Sequence, residues 1–170
     1  MEELGRWLSY EAMRDWLPHR KDLVKTPLSS TEGTVVETAV PLLAVPMVPG
    51  GLHLWEGARQ VLPSAELCLG GLPGTIEAQA GVVMFLDQIR HGDELIDLLQ
   101  RLDQLGVEAP RLRVITALSA SPGLKRIGES YPEITIHTAC IDADLDEQER
   151  ILPGIGDPLQ RLGIRTAQPN

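Results

Sequence analysis

Aromatic residues are scarce in this chain: three Trp, two Tyr and one Phe, 4% of 170 residues. A core of normal size must then be built from Leu, Val, Ile and Ala, which suits helices layered on a sheet. Positive charge is also scarce. Three Lys and twelve Arg stand against 24 acidic residues, for a net charge of −9. No run of them forms a basic stripe, which argues against nucleic acid and anionic membranes as partners. There are only two cysteines, Cys68 and Cys140, both inside apolar runs (AELCLGG and IHTACID). They read as buried free thiols in a reducing compartment. The four histidines show no ligand spacing, so no metal site is expected. No apolar run is long enough to span a membrane, and the acidic, amphipathic start MEELGRWLSYEAMRDWL lacks the apolar core of a signal peptide. A soluble, cytoplasmic protein is expected.

Enough remains to build a folded domain. Hydrophobic residues make up 43% and charged residues 23%, outside the range of disordered chains. The length suits a single domain over residues 1–170. Leu4, Trp7, Leu8, Ala12 and Trp16 recur at helical spacing and predict a helix from Glu2 to Leu17, ended by Pro18. His19 to Gly33 reads as a polar connector. Thr34 to Val48 reads as two short strands, TVVETAV and LLAVPMV. A helix over 52–62, a strand over 65–69, a Gly/Pro-rich loop over 70–80 and an apolar strand over 82–86 follow. Leu95, Leu98, Leu99, Leu102 and Leu105 share one face of a helix over 94–105, stopped by Gly106. Then come a strand over 111–118, a helix over 121–130 opening on Pro122, and a strand over 133–141. The rest reads as loop, with the Gly-rich turn PGIGDP. Apolar strands alternating with helices predict an α/β fold: a mostly parallel sheet of five to six strands with helices on both faces. Ligands of such sheets sit at the carboxyl ends of the strands. That directs attention to the turns at 49–52, 87–93, 119–123 and 142–157.

Several segments read like one known family. Leu8-Ser9-Tyr10-Glu11-Ala12 is similar to its Leu-Thr-Tyr-Glu-Ala helix, and Val45-Pro46-Met47-Val48 before Gly51-Leu52 is similar to its Val-Pro-Ile-Leu-Arg-Ala-Gly-Leu. Gly57 and Leu62-Pro63-Ser64-Ala65 also match. Thr138-Ala139-Cys140-Ile141-Asp142, Leu145 and Ile151-Leu152-Pro153-Gly154-Ile155-Gly156-Asp157 complete the pattern. Together these resemble uracil phosphoribosyltransferase, of the type I phosphoribosyltransferase fold, over nearly the whole chain. The resemblance implies transfer of a phosphoribosyl group from phosphoribosyl pyrophosphate to uracil, forming UMP and pyrophosphate in pyrimidine salvage, with Mg2+ accompanying the donor. It also implies a base site on the main chain around Ile151, Gly154, Gly156 and Asp157.

The donor side departs from the pattern. Where the family has Val-Asp-Pro-Met-Leu-Ala-Thr-Gly-Gly-Ser, this chain has Leu86-Asp87-Gln88-Ile89-Arg90-His91-Gly92-Asp93-Glu94. A phosphate cradle needs glycine amides, hydroxyls and a helix N-terminus. Asp87 suits the strand-end acidic role, Arg90 and His91 offer positive charge, and Asp93 and Glu94 bring carboxylates. A carboxylate 4 Å from one phosphate charge costs about 1 kcal/mol in water and about 4 at an effective dielectric near 20. Asp93 also reads as the helix N-cap, filling the phosphate's place. At the pyrophosphate turn the family's Arg is Pro49, followed by Gly50, which offers neither charge nor N–H at position 49. Residues 73–80 stand where the family has a long hairpin, so the hood over the donor is shortened or absent. Pro158 and Arg150 replace an Ala and a Tyr at the base end.

These departures predict a catalytically inactive homologue with no catalytic residue and no cofactor, acting as a regulatory or interaction protein. The alternatives are an active uracil phosphoribosyltransferase, which would need Mg2+, or a sensor of uracil or UMP. A homodimer or a protein partner is expected, with Trp7, Trp16 and Trp55 serving either an interface or the core. Ser121-Pro122-Gly123 resembles the family's Ala-Pro-Glu-Gly turn and is read as structural context rather than a nucleophile.

Overall fold

The apolar segments around Val45, Met84 and Ile115 lie side by side at the centre of one sheet. The structure, a computed structural model, describes residues 1–37 and 39–165. Its main sheet has five parallel strands in the order β4 (Glu66–Leu67), β3 (Leu42–Pro46), β5 (Gly81–Ile89), β6 (Leu112–Ala120) and β7 (Thr135–Asp142). Val45 lies beside Met84, Phe85 beside Ile115, and Thr116 beside Thr138. The central strands are buried on both faces, so their sequences are continuous apolar runs rather than alternating ones.

Each face is covered by helices. Helix α1 (Glu2–Arg14) buries Gly5, Ser9, Ala12 and Met13, a stripe of helical period. It packs with α2 (Gly50–Ala58) over Ala44, Val83, Phe85 and Ile115. The two helices approach backbone to backbone. A Cβ on Gly5 would lie 2.0 Å from the Leu54 carbonyl oxygen, and one on Gly57 would lie 1.7 Å from that of Glu2. Trp55 sits edge-on to Phe85 with ring centres 5.8 Å apart, and the Trp16 indole N–H donates to the Pro110 carbonyl at 2.7 Å. Trp7, by contrast, is exposed. On the opposite face, Leu95, Leu98, Leu99 and Leu102 of α3 (Asp93–Gln104), with Ile127 of α4 (Ser121–Ser130), cover Val45, Val82, Met84 and Val114. Each of these buried leucines contributes roughly 1.5–3 kcal/mol.

Three expectations need correction. The segment 19–33 is not a connector: His19–Lys25 (β1) and Ser30–Val36 (β2) form an antiparallel hairpin apart from the main sheet. Every residue of β1 is exposed, so no apolar alternation marks it. The turn is closed by Thr26, whose hydroxyl donates to the Ser29 carbonyl, with Pro27 at its second position. The strand expected over 82–86 continues to Ile89, placing Asp87 inside β5. Cys140 is exposed and only Cys68 is half-buried, because β7 is the last strand of its sheet. The tail after β7 also carries a small antiparallel pair, β8 (Asp144–Leu145) and β9 (Ile151–Leu152), and a one-turn helix α5 (Pro158–Arg161). Between β4 and β5, residues 68–80 contain no strand, in line with a shortened hood.

From β3 the chain turns outward to the edge strand β4, then returns to place β5 on β3's other side and continues away through β6 and β7. The strand order thus reverses between β3 and β5, the position at which open α/β sheets form a binding crevice.

Candidate functional site

A cavity of about 570 Å³ opens at the carboxyl end of β5. One wall is the end of β5, the turn Arg90–Gly92 and the start of α3. The other is Glu149–Ile151 and Gly156–Leu159 from the C-terminal tail. The structure therefore joins Asp87, Arg90, His91, Gly92 and Asp93 to Ile151, Gly156 and Asp157 around one space. Gly154, Pro49 and Gly50 do not line it. Gly50 stands behind Asp87, so close that a Cβ there would lie 2.4 Å from the Asp87 carboxylate.

The turn wall differs from expectation at Asp93. The N-cap of α3 is Gly92, in the left-handed region at φ +86°, and no side chain caps the helix. Asp93 has not filled the place of a ligand. Its carboxylate is held in a two-pronged pair by Arg126 of α4, with Nη1 donating to Oδ2 at 3.0 Å. The expected repulsion from two carboxylates at this turn is therefore lessened, the charge of Asp93 being partly offset by a residue 33 positions away. That the amides at the start of α3 lack a side-chain cap is the arrangement in which a helix N-terminus receives an anion. The turn is braced from beneath by α4: a Cβ on Gly123 would meet the Arg90 carbonyl oxygen at 2.0 Å.

Asp87 lies at the floor. Burial pushes its carboxyl above the ordinary value, opposed by hydrogen bonds from the backbone and by the charge of Arg90, and reinforced by Asp157 across the cavity. Its side chain accepts from the Gln88 amide at 2.9 Å and makes no ion pair among the described residues.

The second wall is built from side-chain-to-backbone bonds. Asp142, at the end of β7, accepts from the Gly154 amide at 2.9 Å, which anchors a residue at φ +61°. Asp157 caps α5 by accepting from the Leu159 and Gln160 amides, at 2.9 and 3.3 Å. Its carboxylate is thereby fixed, and the main chain of Gly156 faces the cavity. Between these, Asp146 accepts from the Gln148 and Arg150 amides, at 2.9 and 2.8 Å, and from Arg150 Nε at 2.7 Å. That closes the β8–β9 turn and holds the Asp146 carboxyl below its ordinary value, the Arg150 side chain being the main cause.

Sequence reasoning missed Asp142, Arg126, Gly123 and Glu149. The local signal for Asp142 is an acid at a strand end; the other three act through contacts across the fold, to which spacing along the chain is blind. Among the described residues no group of three His, Cys, Asp or Glu is placed to hold a metal ion by itself, and no helix is long and apolar enough to cross a membrane.

Comparison with known proteins agrees with this architecture. A family model described as uracil phosphoribosyltransferase matches residues 1–162. The chain is 37% identical to the uracil phosphoribosyltransferase of Synechococcus elongatus, over 94% of its own length and 81% of the relative's. To the uracil phosphoribosyltransferase of Nostoc sp. it is 34% identical, covering 94% and 82%. Among solved structures, the AQ2163 protein from Aquifex aeolicus superposes with a TM-score of 0.76 at 26% identity, covering 95% of this chain and 82% of that one.

Proposed function

The chain belongs to the uracil phosphoribosyltransferase family, and from that premise we propose that it joins uracil to the phosphoribosyl group of phosphoribosyl pyrophosphate, releasing pyrophosphate and forming UMP. The observation that carries this reading is the shared cavity, whose two walls offer what the two halves of UMP require. The expectation of an inactive homologue rested on carboxylates blocking the turn, and the pairing of Asp93 with Arg126 offsets part of that obstacle.

In this reading the amides at the start of α3 take the phosphate. Asp87 faces the ribose, and the main chain around Gly156 takes the base. Pro158 offers no N–H there, so base recognition falls on the residues before it. Magnesium is compatible with the floor: this ion keeps most of its ligands as water and substrate oxygens and asks one or two carboxylates of the protein. Asp87, desolvated and without a cation of its own, would hold it, and the ion would supply charge neutralisation at the departing pyrophosphate.

Incubating the protein with uracil, phosphoribosyl pyrophosphate and Mg2+, and measuring UMP by chromatography, tests the proposal. UMP formation that depends on both substrates is expected; a folded protein that forms none refutes it. A second reading has its own support. Pro49 carries no charge and no N–H at the pyrophosphate turn, and residues 68–80 lack the strands of a hood. In that reading the cavity binds UMP or uracil without transfer and the protein acts on a partner. UMP binding in calorimetry with no turnover would select it.

A further inference from the structure

His91 and Glu149 mark the point where the two cavity walls meet. His91 precedes the cap residue Gly92, and its Nε2 stands 3.5 Å from Glu149 Oε1 of the β8–β9 turn. The contact lacks hydrogen-bond geometry. Nε2 is closed off from solvent yet has no hydrogen-bond partner among the described residues, an uncommon state for a buried polar atom. The backbone of Glu149 is held in place, while its side chain reaches His91 from an exposed position. Among the described residues Glu149 is the non-glycine residue at positive φ, +61°, a conformation that ordinary side chains seldom adopt. The Asp146 bonds to Gln148 and Arg150 fix the turn on either side of it.

The charged neighbours are largely committed elsewhere. Arg150 is paired with Asp146, and Asp93 with Arg126. Arg90, Asp87, Glu94 and Asp157 line the same cavity, but Glu149 is the carboxylate in contact with the imidazole.

We propose that His91 is the residue that contacts the phosphate of a nucleoside monophosphate in this cavity, and that Glu149 is a resident anion which that phosphate displaces. The inference rests on the nucleotide reading above. A phosphate oxygen gives Nε2 the acceptor it lacks and carries more charge than one carboxylate. The empty cavity is thus latched between its walls, and the measured affinity for a phosphate ligand is lowered by the latched fraction. A ligand without phosphate has nothing to exchange for the latch.

Calorimetry with UMP and with uridine, on the wild type, Glu149→Gln, His91→Gln and the double variant, separates the possibilities. Glu149→Gln should bind UMP about 3- to 10-fold more tightly and His91→Gln about tenfold more weakly, as expected for loss of a charge-assisted hydrogen bond. Uridine affinity should stay level in both. The double variant should match His91→Gln alone, and His91→Lys should retain the preference for UMP over uridine. Equal effects on UMP and uridine, or the same gain from Glu149→Gln without His91, would overturn the latch while leaving the nucleotide reading intact. A wild type that binds neither ligand removes both. In the ligand-free protein, His91→Gln should speed amide exchange across 144–152; unchanged exchange also counts against the latch.

Discussion

The two walls of the cavity are stabilised by different means. The C-terminal wall supports itself: Asp146 and Asp157 turn their carboxylates onto backbone amides a few residues away, and Asp142 onto one twelve residues on in the same tail. The β5–α3 turn is supported from outside, by Gly123 beneath Arg90 and by Arg126 on Asp93. The difference bears on how charge near a phosphate site should be judged. Asp93 beside the helix start repels a phosphate when considered alone, and does so less once its guanidinium partner is counted.

The comparison breaks most readily at Gly123. Gly123→Ala forces a methyl group into the Arg90 carbonyl, in a backbone contact that cannot yield. A loss of about 3 kcal/mol or more in urea unfolding is expected. Gly154→Ala makes a similar clash, 2.0 Å from the Ile151 carbonyl oxygen, but in a surface loop. It should cost less globally and loosen only the tail, as local amide exchange would show. If the two variants lose equal stability, the walls are not differently supported.

Next in size is Asp142→Ala, which strips the Gly154 amide of its acceptor. An unpaired amide costs about 1–3 kcal/mol, so uracil affinity should fall about tenfold or more in calorimetry while α3 keeps its exchange protection. Arg126→Ala reaches the opposite wall. Stability should change by less than about 1 kcal/mol, since the pair is half-exposed. Affinity for UMP should nevertheless drop about 3- to 10-fold as the Asp93 charge is released, with the loss shrinking at high salt.

Much of the frame was legible along the chain. The runs at 82–86 and 114–118 are almost wholly apolar, and the leucines of α3 repeat at helical spacing, because burial imposes those patterns. The β1–β2 hairpin was illegible for the converse reason: HRKDLVK has no buried face to pattern it. At the site, the pattern of elements points to the turns 87–93 and 142–157, while Ile151, Gly154, Gly156 and Asp157 are named from the resemblance to the family. Their partners are named by neither. Gly92 rather than Asp93 is the N-cap of α3, a shift of one residue that decides whether a carboxylate caps the helix. Arg126 is made relevant only by the packing of α4 against the turn.

The smallest effect concerns pH and Asp87, between the walls. Its carboxyl is raised by burial above the ordinary 3.8, so the folded protein holds that proton more firmly than the unfolded chain. Asp87 therefore costs stability as pH rises through 3.8 towards the raised value, and the cost is fully present at neutral pH. Asp87→Asn should stabilise the protein at pH 7, and the gain should vanish below about pH 3.8. A gain that persists in acid would mean that burial of the charge is not its source.

The glycine contact between α1 and α2 has a bearing on the order of assembly. Helix α1 leaves the ribosome before its seat, which is made of Leu54 and Gly57, about fifty residues later, and its trailing Trp16 is tied to Pro110, later still. Helix α1 must wait for these later segments before it can dock. Until then one face of the nascent sheet stays wet.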